Sequence, residues 1–228
     1  MDIRRLRRLP AGVVKGILSV GVPAAIQNLL NVTGSTILNN FTAGFGPSAV
    51  AAMGVSQKLN MVPLQIGMGF SQGIMPLVSY NYASGDRKRM KKGILFSLGV
   101  ISPVMLGITA CYWAFTPGLI RSFKDNAQII AYGTSFLRGM SLSMVFLCVD
   151  FTVAGVFQAL GMGKHALVFA MLRKIVLEIP LLILLNAIFP LYGLPYAQPV
   201  AEFILSIGAV VMLMRIFRQG DALQKQRL

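Results

Sequence analysis

Acidic residues are scarce in this sequence. Seven Asp and Glu stand against 21 Lys and Arg, and there are only one histidine and two cysteines. So few Cys and His give no zinc-type ligand spacing, which needs four such groups in a recognisable pattern. Cys111 and Cys148 both fall inside apolar runs, where a cysteine acts as a small packing residue and not as half of a disulfide framework. His165 lies at an expected loop, and no nucleophile–base pair or metal cluster surrounds it in the chain. The stretch "GMGK" lacks the spacing of a phosphate-binding loop and reads as a turn. Nothing here recommends an enzyme or a bound cofactor. Charge of either sign is also thin, at 12% of residues where soluble domains carry about a quarter. A globular cytosolic protein is excluded.

What fills the sequence is apolar. Residues 16–57, 59–85, 93–120 and 179–201 contain no charge. Each run exceeds the ~20 residues a helix needs to cross a hydrocarbon core. Barrel strands would show alternation over ~10 residues, and these runs show none. The sequence therefore predicts an all-α integral membrane protein, a six-transmembrane-helix bundle. The expected spans are 14–43, 48–82, 93–116 (stopping near Pro117-Gly118), 127–160, 165–189 and 193–216. Residues 49–82 would extend about 51 Å if fully helical, more than a bilayer core, so this span must tilt, bend or project. Pro63 and Pro76, with Gly67, Gly69 and Gly73 between them, supply places to bend.

The cations cluster between spans. One expected side holds Arg4, Arg5, Arg7, Arg8, Lys15, Arg87, Lys88, Arg89, Lys91, Lys92, Lys164, Arg215, Arg218, Lys225 and Arg227, and the other holds Arg121 and Lys124. Under the positive-inside rule both termini are cytoplasmic. A net charge of +14 in a soluble chain would suggest nucleic acid, but no segment here is long enough to fold a soluble basic face. The partner expected instead is the lipid bilayer. Residues 1–13 read as a basic cytoplasmic anchor leading into a retained first helix, 14–216 as the membrane lobe, 217–228 as a basic cytoplasmic tail, and "GDRKRMKKG" as a loop.

Polar groups inside a bilayer are costly, so their positions are informative. Asn28, Asn31, Ser35 and Asn39 recur at helical spacing on the first span, and Lys58, Gln65 and Gln72 recur every seven residues on the second. These stripes are either amide glue between helices or the lining of a hydrated cavity. We read them as a cavity wall. Arg138, Asp150, Glu178 and Glu202 also lie within spans. Asp150 is either a structural partner of Lys58 or Arg138, or a carboxylate that takes up a proton or holds a cation. Glu178 follows Lys174 by one turn and reads as an i,i+4 pair. Glu202 is expected to line a cavity or a vestibule, and Arg173 and Lys174 to snorkel toward headgroups.

Several segments are similar to a known family. "GVPAAIQNLLNVTGSTILNNFTAGFGPSAVAAMGVSQKL", "GMGFSQGIMPLVSYNYASGDRKRMKKG" and "GVFQALGMGKHAL" resemble the MATE family of multidrug and toxin extrusion transporters, in order along the chain. The resemblance implies one lobe, the C-terminal one, of a twelve-helix fold in which two six-helix lobes alternate access. It implies cation-coupled antiport, by proton or sodium, that exports amphipathic or cationic organic molecules, in a multi-pass bacterial cytoplasmic membrane protein. Asp150 falls in the helix where some relatives carry a cation-site aspartate, while the best-known coupling carboxylate belongs to the other lobe. A partner is expected, either a second lobe or a second copy. Two alternatives stand beside this: a lipid-linked precursor or polysaccharide flippase of the same superfamily, which would want a more cationic cavity, and a non-transporting membrane module.

Overall fold

The computed structural model describes residues 11–225, so the arginines at 4–8 and Arg227 lie outside the described residues. Helix α1 spans Ala11–Ala43, α2 Pro47–Ala83, α3 Arg87–Arg121, α4 Ala127–Ser141, α5 Ser143–Ala159 and α6 Gly163–Met171. A π-helical segment, Leu172–Glu178, then runs into α7 at Ile179–Ile188, and a 3-10 turn at Leu194–Tyr196 leads into α8 at Ala197–Lys225. Because α4 continues into α5 through Leu142, and α6 into α7 through the π segment, these elements form six rods. Among the described residues there is no β-strand. Four of the rods, 12–43, 87–121, 127–159 and 194–217, are long and apolar enough to cross a membrane. Of the other two, α2 is loaded with amides and the α6–α7 rod is interrupted.

Local chemistry fixes the turns and moves several expected boundaries. Gly46 and Gly85 take φ of 98° and 80°, the left-handed region that reverses the chain without a Cβ clash. Asp86 then caps α3 by accepting from the Arg89 backbone N–H at 2.9 Å. The helix consequently starts at Arg87, and the basic run predicted to be a loop forms its first turns. Arg87 stacks on the Tyr82 ring, 3.7 Å from its centroid. Nor does α3 stop before Pro117, since it continues to Arg121. The fourth span is interrupted at Leu142, and the sixth extends past residue 216 to Lys225.

Two interior prolines show how backbone carbonyls freed inside a helix are satisfied. A proline at position i removes the N–H that would bond the carbonyl at i−4. Pro63 thereby frees the Leu59 carbonyl, and the Tyr112 hydroxyl of α3 donates to it at 2.8 Å. Pro117 frees the Trp113 carbonyl, and Arg138 Nη2 of α4 donates to it at 3.0 Å. Both freed carbonyls are satisfied by protein, as the bilayer requires.

Apolar clusters occupy the two ends of the bundle. One gathers Ala52, Met53, Phe136, Leu137, Leu182 and Ala197, and the other Val78, Ile94, Val156, Phe157, Ala166 and Ala209. Along α2, α4–α5 and α8, the residues between these clusters include Asn60, Ser71, Asp150 and Glu202, all buried. The middle of the bundle is therefore divided, with these polar groups on one side and a third apolar cluster of Ile101, Met105, Met144 and Cys148 on the other. Burial also ranks the rods: 67% of the apolar window of 127–159 is inside the protein against 6% for 12–43. The α4–α5 rod is the centre, and α1 lies on the outside with most of its surface open.

Candidate functional site

The charged groups of the polar region come from three elements. Asp150 comes from α5, Glu202 from α8, and Arg173, Lys174 and Glu178 from the π segment, and all five are buried. A π turn departs from regular helical bonding and occurs frequently at functional sites. Within it Lys174 Nζ donates to both Glu178 oxygens, at 2.7 and 2.6 Å. This pair packs over Gly34 of α1, where a Cβ would lie 3.4 Å from Glu178 Oε1 and from Lys174 Nζ. The i,i+4 pairing expected from sequence is present, but it is interior.

Arg173 reaches in two directions. Its Nη2 donates to Asn31 Oδ1 on α1 at 2.8 Å, and its Nη1 lies 3.8 Å from Glu202 Oε1. The guanidinium also sits over Phe151, 5.4 Å from the ring centroid. The charged neighbours of Asp150 are Glu202 and Arg173. Among the described residues, no hydrogen bond reaches either oxygen of Asp150 or of Glu202. Four buried, unbonded carboxylate oxygens are expensive in a low-dielectric interior, and such groups normally find a partner. The charge balance points the same way. Three carboxylates face two cations: Lys174 is matched by Glu178, Arg173 approaches Glu202, and Asp150 is left without a cation at ion-pair distance among the described residues.

Two cavities open on this cluster. The first, about 150 Å³, is lined by Gln27, Asn28, Asn31, Gln72, Gln158, Asp150 and Arg173 among others. The second, about 410 Å³, is lined by Asn31, Asn39, Gln57, Gln65, Glu178, Glu202 and Arg173 along with apolar side chains such as Met61 and Leu64. Amide pairs brace the walls: Gln158 donates to Gln27 at 3.3 Å, and Gln57 to Asn39 at 3.2 Å.

The structure thus gathers most of the residues singled out from sequence. Asn28, Asn31, Gln72 and Asp150 line the first cavity, while Asn31, Gln65, Glu178 and Glu202 line the second. Two residues are elsewhere. Lys58 is exposed and lines neither cavity, and Arg138 is engaged with the Trp113 carbonyl, its guanidinium 5.7 Å from the Trp113 ring centroid. Neither is the partner of Asp150, and that expectation is corrected. So is the expectation for Arg173 and Lys174, which are buried in the site and do not snorkel. Depth was the available signal, because Arg173 stands ten residues past Gly163, about 15 Å along a helix and too far in to reach headgroups.

Comparison with known proteins bears on the family and the fold. The family model described as MatE matches residues 23–184. The chain is 34% identical over 202 residues to the multidrug export protein MepA of Staphylococcus saprophyticus, covering 86% of this chain and 43% of that protein. Identity to MepA of Staphylococcus aureus is 31%, with the same coverage. The chain spans about half the length of these curated relatives. Among solved structures, an outward-facing multidrug resistance MATE family transporter of the MOP superfamily superposes with a TM-score of 0.87 at 17% identity, over 93% of this chain and 48% of that one. The Vibrio cholerae MATE transporter VcmN in its bent form gives 0.86 at 18% identity, over 95% and 49%.

Proposed function

Because the chain belongs to the MatE family, a family of membrane transporters and not of enzymes, we propose that it is one six-helix lobe of an exporter that exchanges amphipathic or cationic organic compounds for a proton or a sodium ion. The observation that carries this reading is the Asp150–Glu202 pair, two buried carboxylates without hydrogen bonds near one guanidinium, that of Arg173, beside amide-lined cavities.

Two adjacent carboxylates with one shared cation favour taking up one further positive charge. A proton, a sodium ion or a cationic cargo each supplies it. Since one unmatched charge accepts one of these at a time, they compete, and competition at a single site is the simplest basis for exchange. Asp150 is the coupling carboxylate in this scheme and Glu202 its partner. Asn28, Asn31, Gln65 and Gln72 supply hydrogen bonds without fixing cargo identity, and Met61 and Met68 give an adaptable apolar wall. With Lys58 and Arg138 outside the cavities, the two linings together hold three carboxylates and two cations. That favours organic cations over the anionic lipid-linked precursors a flippase would move.

The second lobe is argued from α1. A helix that is mostly open yet exposes Asn28, Ser35 and Asn40 cannot turn those groups toward acyl chains at no cost. It faces a second six-helix lobe, supplied by a longer protein or by a second copy. The same reading gives a bacterial cytoplasmic membrane with both termini inside, a choice favoured by the staphylococcal relatives and the cation distribution.

The test is efflux of a cationic dye from cells in which the unaltered lobe, alone or with its partner, supports transport. Asp150→Asn and Glu202→Gln should each abolish it, and imposed proton and sodium gradients in vesicles identify the coupling ion. Undiminished efflux by Asp150→Asn would remove this residue from the mechanism.

A further inference from the structure

The two cavities meet at a ring of four residues. Asn31 of α1, Met68 of α2, Phe151 of α5 and Arg173 of the π segment line both. Arg173 is the longest of the four and the one held by polar contacts. It makes one hydrogen bond, to Asn31 at 2.8 Å, and its approach to Glu202 is 3.8 Å, while its Nε has no hydrogen-bond partner among the described residues. A guanidinium carries five donors in a rigid fork, so this one is far from saturated. Its backbone lies in a π turn, an irregularity frequent at functional sites.

We propose that this ring is a gate between the two cavities and that Arg173 is its bar, drawn across by Asn31 on one side and Glu202 on the other. The charged groups facing Arg173 are Asp150 from α5, Glu202 from α8, and Lys174 and Glu178 from its own segment, whereas α1 and α2 present the neutral Asn31 and Met68. Once Glu202 is engaged by another cation, Asn31 alone holds the bar, and the ring opens. The proposal concerns the connection between cavities and stands whatever cargo, if any, passes through.

Sided thiol labelling tests it. In a Cys111→Ser/Cys148→Ala background, Asn28→Cys reports on the first cavity and Gln65→Cys on the second. A membrane-impermeant methanethiosulfonate is applied to one face of sealed vesicles made from cells producing the chain. With Arg173 present, each reporter should react from a single face. Met68→Ala, and the charge-balanced Arg173→Gln/Glu202→Gln, should raise labelling from the far face about tenfold, a shift of about 1.4 kcal/mol in gate opening. If the Arg173 variant does not fold, Met68→Ala decides, since it widens the ring without touching a charge. Labelling that stays one-sided in variants whose thermal unfolding matches the parent overturns the gate, as does two-sided labelling in the parent itself.

Discussion

Adding one methyl group at Gly155 should loosen the contact between α2 and α5. Gly155 lies against Ser71, whose hydroxyl donates to the Phe151 carbonyl at 2.6 Å. A Cβ at Gly155 would collide with that hydroxyl, and would stand 3.2 Å from the Ser71 backbone oxygen and 3.6 Å from its Cβ. The hydroxyl must swing away, losing an interhelical bond worth about 0.6 kcal/mol in a membrane protein. The helices must also separate slightly, and such overpacking costs about 1–3 kcal/mol. Alanine is the better helix former by about 1 kcal/mol, which offsets part of this. Gly155→Ala should therefore destabilise by about 1–2.5 kcal/mol, read as a lower midpoint in thermal unfolding of the detergent-solubilised chain by circular dichroism. Ser71→Ala on its own should cost only its hydrogen bond. Combined with Gly155→Ala it removes the colliding atom and leaves the ordinary 3.6 Å Cβ contact together with the tighter 3.2 Å one to the backbone oxygen, so the relief is partial. The double variant should then be more stable than Gly155→Ala alone, a coupling that a double-mutant cycle detects. Strictly additive effects, or a Gly155→Ala chain that melts with the parent, would refute this account of the contact.

Tyr112→Phe should destabilise by about 1–3 kcal/mol, because it orphans the Leu59 carbonyl that Pro63 has freed, and unfolding midpoints test this. Arg138→Met should cost a similar amount through the Trp113 carbonyl while leaving the ion dependence of any measured flux unchanged. Lys174→Met alone should cost about 3–5 kcal/mol by stranding Glu178, whereas Lys174→Met/Glu178→Leu should come close to the parent, both judged by thermal unfolding. Gly85→Ala, at a φ of 80°, should cost about 1–2 kcal/mol in the same assay.

The polar stripe of α1 and the amides of α2 were legible from spacing alone, since a bilayer leaves few reasons for Asn and Gln to repeat on a helical face. Glu202 and Asp150 were legible as isolated carboxylates, but their proximity was not, because it depends on how α5 and α8 cross. Arg173 and Lys174 were judged by the cost of their charge, which sends a side chain toward water, when each had an interior partner. Arg138 was instead expected beside Asp150, and its partner lay elsewhere. For Arg138 the partner was a backbone carbonyl exposed by a proline 21 positions earlier, and sequence shows the proline but not which side chain answers it. The basic run at 87–92 was taken for loop because it is a cluster of charge between two apolar spans. The Asp86 cap nevertheless starts α3 there.

The proline bends also bear on how the chain is made. The plug for the α2 bend is carried by α3, and the plug for the α3 bend by α4, so each is synthesised after the bend it secures. During insertion α2 would enter the lipid with a bare carbonyl, or straight, until the next span emerges from the ribosome and docks. The polypeptide is thus ratcheted into shape from its beginning toward its end, and reordering its helices by circular permutation would remove that succession even where every final contact could still form.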